Sequence, residues 1–218
     1  MGFYSQRIFP YLMDWSMSSS DLAKYRQETL ANVKGEVLEI GFGTGLNLSY
    51  YPAAISKIVT VDVNPSMHRL AQKRIQASSI TVDYHILSGE NLPMAEETFD
   101  SVVSTFTLCS IPNVEQALKE IYRVLKPGGR FFFVEHGLSN EPEIQVWQNR
   151  LTPVQKVIAD GCHLNRHIRQ LVEHQFDALT LEEAYAENFP KAMAYFYQGV
   201  ATKGNPGIGE VRSPASVR

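Results

Sequence analysis

The segment EIGFGTG at residues 39–45 constrains this sequence more than any other, because three glycines alternate with other residues where an apolar run ends. Glycine lets the backbone turn tightly and lets a ligand approach it without a Cβ between them. The apolar run before it indicates a strand, and a helix is expected after it. A turn of this kind predicts an α/β sheet that binds its ligand beyond the carboxyl ends of the strands.

The rest of the sequence continues the alternation of apolar strands and amphipathic helices. This rhythm predicts a doubly wound, Rossmann-like α/β fold. Two β-like stretches at the end predict an antiparallel hairpin that completes a seven-stranded, mostly parallel sheet. The predicted strands are 36–40, 57–61, 81–87, 101–105, 130–135, 179–185 and 192–202, and the predicted helices follow residue 64 and cover 114–125 and 166–175.

A chain of 218 residues is long enough for one sizeable core. We expect a helical cap over residues 1–34, one α/β domain over 35–202 and a flexible tail over 203–218. Residues 137–165 break the alternation with two helical segments, 143–150 and 154–160. This insertion is expected to shape the site of the second substrate. The aromatic residues of the cap, Tyr11, Trp15 and Tyr25, are predicted to help close the site.

The composition limits which kinds of partner the protein is expected to bind. The net charge of −3 and the absence of Lys/Arg clusters argue against nucleic acid. Two cysteines are too few for a disulfide framework, and no stretch reaches the roughly 18 apolar residues of a membrane span. The sequence therefore predicts a cytoplasmic protein that acts on a small molecule, with peripheral membrane contact and the oligomeric state left open.

The glycine spacing bears on the ligand. A dinucleotide fingerprint would need its third glycine at Leu46, and Glu39 stands two residues before Gly41. An acidic neighbour suits a ligand with an amino group and a sulfonium better than one with a pyrophosphate. Asp62 closes the second strand, where a carboxylate accepts hydrogen bonds from ribose hydroxyls, but dinucleotide folds use the same device.

Five segments resemble the class I S-adenosyl-L-methionine-dependent methyltransferases, particularly the branch related to quinone-biosynthesis C-methyltransferases. They are EIGFGTG (39–45), VDVNPSM (61–67), SGENLP (88–93), FDSVVS (99–104) and YRVLKPGGRFFFVE (122–135). The resemblance implies S-adenosyl-L-methionine as cofactor, with S-adenosyl-L-homocysteine as product. Many relatives carry Asp where Ser88 stands, which affects any side-chain contact to the adenine amino group.

The same resemblance assigns the donor site residue by residue. Glu39 and the three glycines would face the methionine part, Asp62 the ribose, and the turn at 88–93 the adenine. The complete predicted donor site is Glu39, Gly41, Gly43, Gly45, Asp62, Asn64, Met67, Gly89, Glu90 and Thr105.

The acceptor is expected beyond the fourth and fifth strands. The predicted acceptor pocket is Phe106, Cys109, His136, Cys162 and His163. His136 is the candidate catalytic base, since imidazole takes a proton near pH 7; a histidine bonded to backbone is the alternative. Cys109 is interpreted as a small buried filler.

Two histidines four residues apart, His163 and His167, would share one face of a helix and could bind a metal with a nearby thiolate. Gly161 and the polar residues after it break the helix there, however, so the sequence predicts no metal. Methyl transfer from a sulfonium is an in-line displacement that depends mainly on holding the nucleophile close and excluding water. A strong base is therefore optional.

Two further stretches, TLCSIPN (107–113) and EHG…W…DGCHLNR (135–166), resemble the branch that includes animal thiol methyltransferases. That resemblance implies a small lipophilic thiol as the preferred acceptor. Methylation of a quinone or phenol at carbon or oxygen is the main alternative. A nicotinamide-dependent oxidoreductase and a donor-binding protein without catalysis remain as further alternatives.

Overall fold

A computed structural model describes residues 2–205, which form one seven-stranded sheet in the order β3-β2-β1-β4-β5-β7-β6. The first five strands run parallel, and β7 pairs antiparallel with β5 and with β6. This confirms the predicted mostly parallel sheet with an antiparallel C-terminal hairpin. The strands are β1 Val37–Ile40, β2 Lys57–Asp62, β3 Thr81–Ile86, β4 Phe99–Thr105, β5 Leu125–His136, β6 Ala178–Tyr185 and β7 Tyr195–Thr202.

The helices pack on both faces of this sheet. They are α1 Phe3–Arg7, α2 Phe9–Met17, α3 Ser20–Leu30, α4 Pro65–Ala77, α5 Val114–Val124, α6 Pro142–Ile158, α7 Ile168–Gln175 and α8 Lys191–Ala194, with a 3-10 helix over Leu46–Ser49. Strand β1 is buried along its whole length because helices cover both of its faces, whereas the edge strand β6 alternates exposed and half-buried residues.

Two apolar clusters hold the layers together. On one face, the stripe of α5 (Ala117, Leu118 and Ile121) is no more than 1% exposed and packs on the sheet with residues of α7. On the other face, Leu30 of α3 and Ala71 of α4 pack against the sheet. Apolar positions at helical spacing thus fix which face of each helix meets the strands.

Three element predictions were wrong in detail. Strand β5 starts at Leu125 rather than at 130, because Leu125 pairs with Phe99 and a register shift accommodates 126–129. Helix α6 is continuous across Pro153 instead of two helices. Pro153 and Asn149 are both exposed, so water can bond the carbonyl of Asn149, which the proline leaves free. The start of the last strand is instead the short helix α8.

The N-terminal residues form the three helices α1 to α3, as expected for a helical cap. Within residues 2–205, no helix combines the length and the apolarity needed to cross a bilayer. The predicted tail lies almost wholly beyond the described residues, so the division into cap, domain and tail stays a prediction.

Candidate active site

The strands converge on one cavity of about 430 Å³ at their carboxyl ends. The last residues of β1, β2, β4 and β5 (Ile40, Asp62, Thr105 and His136) all line it. Small-molecule sites occupy roughly 300–1,000 Å³, so the cavity has room for a ligand of ordinary size. The topology therefore places the site where the doubly wound fold predicts it.

The glycine turn forms one wall, and its three glycines serve different purposes. All have positive φ angles, 75° at Gly41, 57° at Gly43 and 78° at Gly45. A Cβ on Gly41 would lie 2.1 Å from the side chain of Thr107, whereas a Cβ on Gly43 would meet only a backbone oxygen at 3.9 Å. Gly45 lies outside the cavity and caps the 3-10 helix. Of the three, only Gly43 thus leaves open space beside the backbone that a side chain would fill.

Asp62 is fixed by the backbone. Its two carboxylate oxygens accept hydrogen bonds from Gly43 N and Asn64 N, each at 2.8 Å. Burial raises the pKa of Asp62, and those two bonds act in the opposite direction. Asp62 lines the cavity, and its carboxylate has lone pairs left to accept hydrogen bonds from a ligand.

Glu39 lies behind the turn and does not line the cavity. It is 1% exposed and accepts hydrogen bonds from Asn47 Nδ2 at 2.8 Å and Tyr51 Oη at 2.7 Å. Burial raises the pKa of Glu39 to about 7. Asn47, which is hydrogen-bonded to Glu39, does line the cavity, so Glu39 lies one side chain away from it.

The structure places most, but not all, of the residues predicted near the adenine on the cavity wall. Asn64, Met67, Ser88 and Gly89 line the cavity, but Glu90 does not. Glu90 instead binds Ser88 Oγ and Asn113 N. Gly89 is required by packing, since a Cβ there would lie 2.9 Å from Ile40.

Arg26 is a cavity residue that the sequence analysis missed. Its side chain comes from α3, is 4% exposed, and its Nε has no hydrogen-bond partner among residues 2–205. The guanidinium lies over the ring of Phe106 at 5.5 Å, and burial lowers the pKa of Arg26. A buried cation with unused donors on a cavity wall fits the carboxylate of an amino-acid ligand.

Asp14 is the second residue that sequence reasoning missed. It accepts a hydrogen bond from Thr44 Oγ1 at 2.6 Å and pairs with Arg74 Nη1 at 2.7 Å. These contacts tie α2 to the glycine turn and to α4. A lone Asp in a helix carries no sequence signal for such a role, because the contact joins residues 30 and 60 positions apart.

The cap lines the cavity with a different face from the one predicted. Phe9, Met13, Met17 and Leu22 lie on the cavity wall. The prediction for the three aromatic residues was wrong: Tyr11 and Trp15 are 61% and 81% exposed, and Tyr25 packs on Phe196 at a centroid distance of 5.1 Å instead of lining the cavity.

The acceptor end combines apolar walls with a small polar cluster. Phe106, Phe189, Met193 and Phe196 lie on the wall, with Cys109, His136 and Cys162 beside them. His136 Nε2 lies 3.0 Å from Cys162 Sγ. Both cysteines are free thiols.

Backbone strain marks the same end of the cavity. Phe106 has φ 54° and Asp160 has φ 44°, and both residues line the cavity. Positive φ is unusual for such side chains, and strain of this kind concentrates at functional sites.

Two further residues predicted to lie in the site, Thr105 and His163, differ in whether they line the cavity. Thr105 lines the cavity and is hydrogen-bonded to the side chain of Asn47. His163 does not line it; its Nδ1 lies 3.2 Å from the carbonyl oxygen of Cys109 and from Arg166 Nη2. Residues 163–167 are not helical, so His163 and His167 do not share a helix face, as the break at Gly161 predicts.

Comparison with known proteins agrees with this geometry. The family described as "Methyltransferase domain" matches residues 38–133. The thiol S-methyltransferase TMT1B of Rattus norvegicus is 35% identical over 192 residues, which cover 80% of this chain and 77% of the relative. The ubiquinone/menaquinone biosynthesis C-methyltransferase UbiE of Hydrogenovibrio crunogenus is 32% identical over 167 residues, covering 72% and 66%.

Among solved structures, an N-methyltransferase of Haemonchus contortus holding phosphomonomethylethanolamine and S-adenosylhomocysteine superposes with a TM-score of 0.69 at 14% identity. It covers 90% of this chain and 57% of that one. The family match and the relatives at 32–35% identity set aside the oxidoreductase alternative. The open space beside Gly43 and the Nε of Arg26, which has no partner among residues 2–205, both suit the methyl donor. The chain belongs to the class I S-adenosyl-L-methionine-dependent methyltransferases.

Proposed function

We propose that this enzyme transfers the methyl group of S-adenosyl-L-methionine to the sulfur of a small lipophilic thiol. The observation that carries the proposal is one continuous cavity that joins the glycine turn to an apolar end containing His136. Relatives named thiol S-methyltransferases, at 31–35% identity, support the choice of sulfur.

Each part of the donor has a residue suited to it. Arg26 would bind the carboxylate of the methionine part, Asp62 the ribose hydroxyls, and the wall around Met67 and Gly89 the adenine. Asp62→Asn should weaken donor binding by about 1.5–3 kcal/mol, because a charged hydrogen-bond acceptor is lost. Titration calorimetry with S-adenosyl-L-homocysteine measures this loss of affinity. An unchanged affinity would refute the assignment of Asp62 to the ribose hydroxyls.

The chemistry needs a sulfur nucleophile near the methyl group, with water excluded. The thiol sulfur attacks the methyl carbon, the bond from that carbon to the sulfonium breaks, and the thiol proton leaves. A thiol has an ordinary pKa of about 8.5, so little assistance is needed near neutral pH. His136 lies at the acceptor end, where that proton has to be removed.

A substrate panel tests the proposal. Turnover of the donor is measured with small lipophilic thiols, with phenols, and with quinols, and Asp62→Asn serves as the control for activity from this site. We expect kcat/KM to be highest for thiols. Turnover confined to quinols would instead support the carbon methylation for which UbiE is named, and turnover confined to phenols would support oxygen methylation.

Location and partners belong to the same proposal. Free, buried cysteines suit a reducing compartment such as the cytoplasm. We propose a small-molecule acceptor and no nucleic acid, since no basic cluster appears in the sequence.

A further inference from the structure

Three soft ligand groups meet at the acceptor end of the cavity. Cys109 follows β4, His136 ends β5, and Cys162 follows α6, so three separate elements deliver them. One ligand atom from each lies within 4.8 Å of the others, and both cysteines are buried. They are the only two cysteines of the chain, and no role in donor binding uses them.

The set has the composition of a metal site with a free position. Two thiolates and one imidazole form the three-ligand set of one type of catalytic zinc site, whose fourth position takes water or substrate. All three side chains line the cavity, so a fourth position can face the acceptor.

The spacing is close to what a tetrahedral zinc ion requires. Bond lengths of about 2.0–2.1 Å to nitrogen and about 2.3 Å to sulfur place ligand atoms roughly 3.5–3.8 Å apart. His136 Nε2 and Cys162 Sγ are 3.0 Å apart, and no pair in the cluster exceeds 4.8 Å. These distances bracket the spacing that a tetrahedral zinc ion requires.

Unused polar atoms surround the cluster. His136 Nδ1, Glu135 Oε2 and Arg166 Nη1 are buried without a hydrogen-bond partner among residues 2–205. Buried polar atoms are rarely left unpaired in native proteins, and a histidine that binds a metal through Nε2 keeps its Nδ1 for a hydrogen bond to a carboxylate or carbonyl, so the free Nδ1 of His136 is compatible with Nε2 as the metal ligand.

We propose that Cys109, His136 and Cys162 bind a zinc ion whose fourth coordination position takes the sulfur of the acceptor thiol. This replaces the sequence-based expectation of no metal, and its second half rests on the proposed function. The thiol binds as a thiolate and its proton leaves to solvent, because His136 Nε2 would bind the zinc and could not accept that proton. A lone pair of the sulfur then forms the new bond to the methyl carbon, while the electrons of the broken bond go to the donor's sulfur, and the thioether product, a weaker ligand, dissociates.

Metal binding is tested without reference to activity. The protein, purified with a non-thiol reductant and no chelator, should hold about one equivalent of zinc by elemental analysis. After exchange with Co²⁺ it should show thiolate-to-cobalt charge-transfer absorption, and Cys109 and Cys162 are the only thiolates that can produce it. Bound zinc should also slow the reaction of both thiols with a disulfide reagent.

Variants separate the site from its surroundings. Cys109→Ser combined with Cys162→Ser should abolish the cobalt band, and Cys162→Ser alone should weaken zinc affinity by at least about 100-fold, more than the loss of an outer-shell contact. His163→Gln and His167→Gln, which change neighbouring histidines outside the cluster, are matched controls and should keep the metal.

The outcomes are distinguishable. No zinc, no cobalt band and unprotected thiols overturn the metal site, even if thiols are methylated. A Cys109–Cys162 disulfide in the reduced preparation overturns it as well. Stoichiometric zinc with turnover only on phenols or quinols supports the metal and refutes the thiol acceptor. Thiol turnover that is lost on zinc removal and restored by zinc supports both.

Discussion

Arg26 allows a direct test of how the donor is oriented. Its guanidinium is 4% exposed on the cavity wall and its Nε has no hydrogen-bond partner among residues 2–205. A hydrogen bond to a charged group contributes about 1.5–3 kcal/mol. Since about 1.4 kcal/mol corresponds to a tenfold change, Arg26→Met should weaken binding of S-adenosyl-L-methionine and S-adenosyl-L-homocysteine by about 10- to 150-fold.

The matched ligand is 5′-methylthioadenosine, which keeps the adenine, ribose and sulfur but lacks the amino-acid carboxylate. Titration calorimetry should show that Arg26→Met leaves its affinity within about twofold. The thermal midpoint of the variant should stay level or rise, because an uncompensated buried charge is removed. Equal losses for all three ligands would refute the carboxylate assignment and show that Arg26 acts by shaping the cavity.

Three further predictions concern the glycine turn and the residues behind it. Asp14→Asn should weaken donor binding several-fold and increase hydrogen exchange in α2. The free energy of unfolding should fall by less than about 1 kcal/mol, because the broken ion pair is partly exposed. Unchanged hydrogen exchange in α2 would contradict this prediction. Gly43→Ala should fold and lose donor affinity, whereas Gly41→Ala should lose stability in chemical denaturation, since its Cβ overlaps Thr107; the reverse pattern would be inconsistent with the assigned roles. Burial raises the pKa of Glu39 from 4.5 to about 7. Between these two pH values the folded protein therefore keeps a proton on Glu39 that the unfolded chain releases. The free energy of unfolding should therefore fall as pH rises from about 5 to 7, and Glu39→Gln should reduce this dependence; an identical dependence in the variant would count against it.

The donor half of the site was largely predictable, because it is local in sequence. The glycine turn, Asp62 and the turn at 88–93 each follow a strand, and strand ends in a parallel sheet meet at one edge. Glu39 and Glu90 do not line the cavity, and a motif could not show this, because it places a carboxylate near the ligand without saying which neighbours, such as Asn47 or Asn113, bind that carboxylate.

The acceptor half was less predictable, because it depends on contacts between distant segments. His136 and Cys162 stand 26 positions apart and meet only because the segment that contains α6 returns the chain to the end of β5. The orientation of the cap could not be read from aromatic content either. Trp15 is large and apolar and still points outward, whereas the smaller Met13 and Met17 face the cavity.

The first helix, α1, contacts both halves of the site. Tyr4 Oη donates to the carbonyl of Ile158 at 2.7 Å, and Ser5 Oγ donates to Asp160 at 2.8 Å, at the acceptor end. The carbonyl of Ser5 accepts from Asn64 Nδ2 at 2.8 Å, at the adenine end. Helix α1 therefore contacts both ends, and displacing it would break hydrogen bonds at both of them. Methyl transfer needs both substrates held close with water excluded, and one helix that contacts both ends of the cavity suits that requirement.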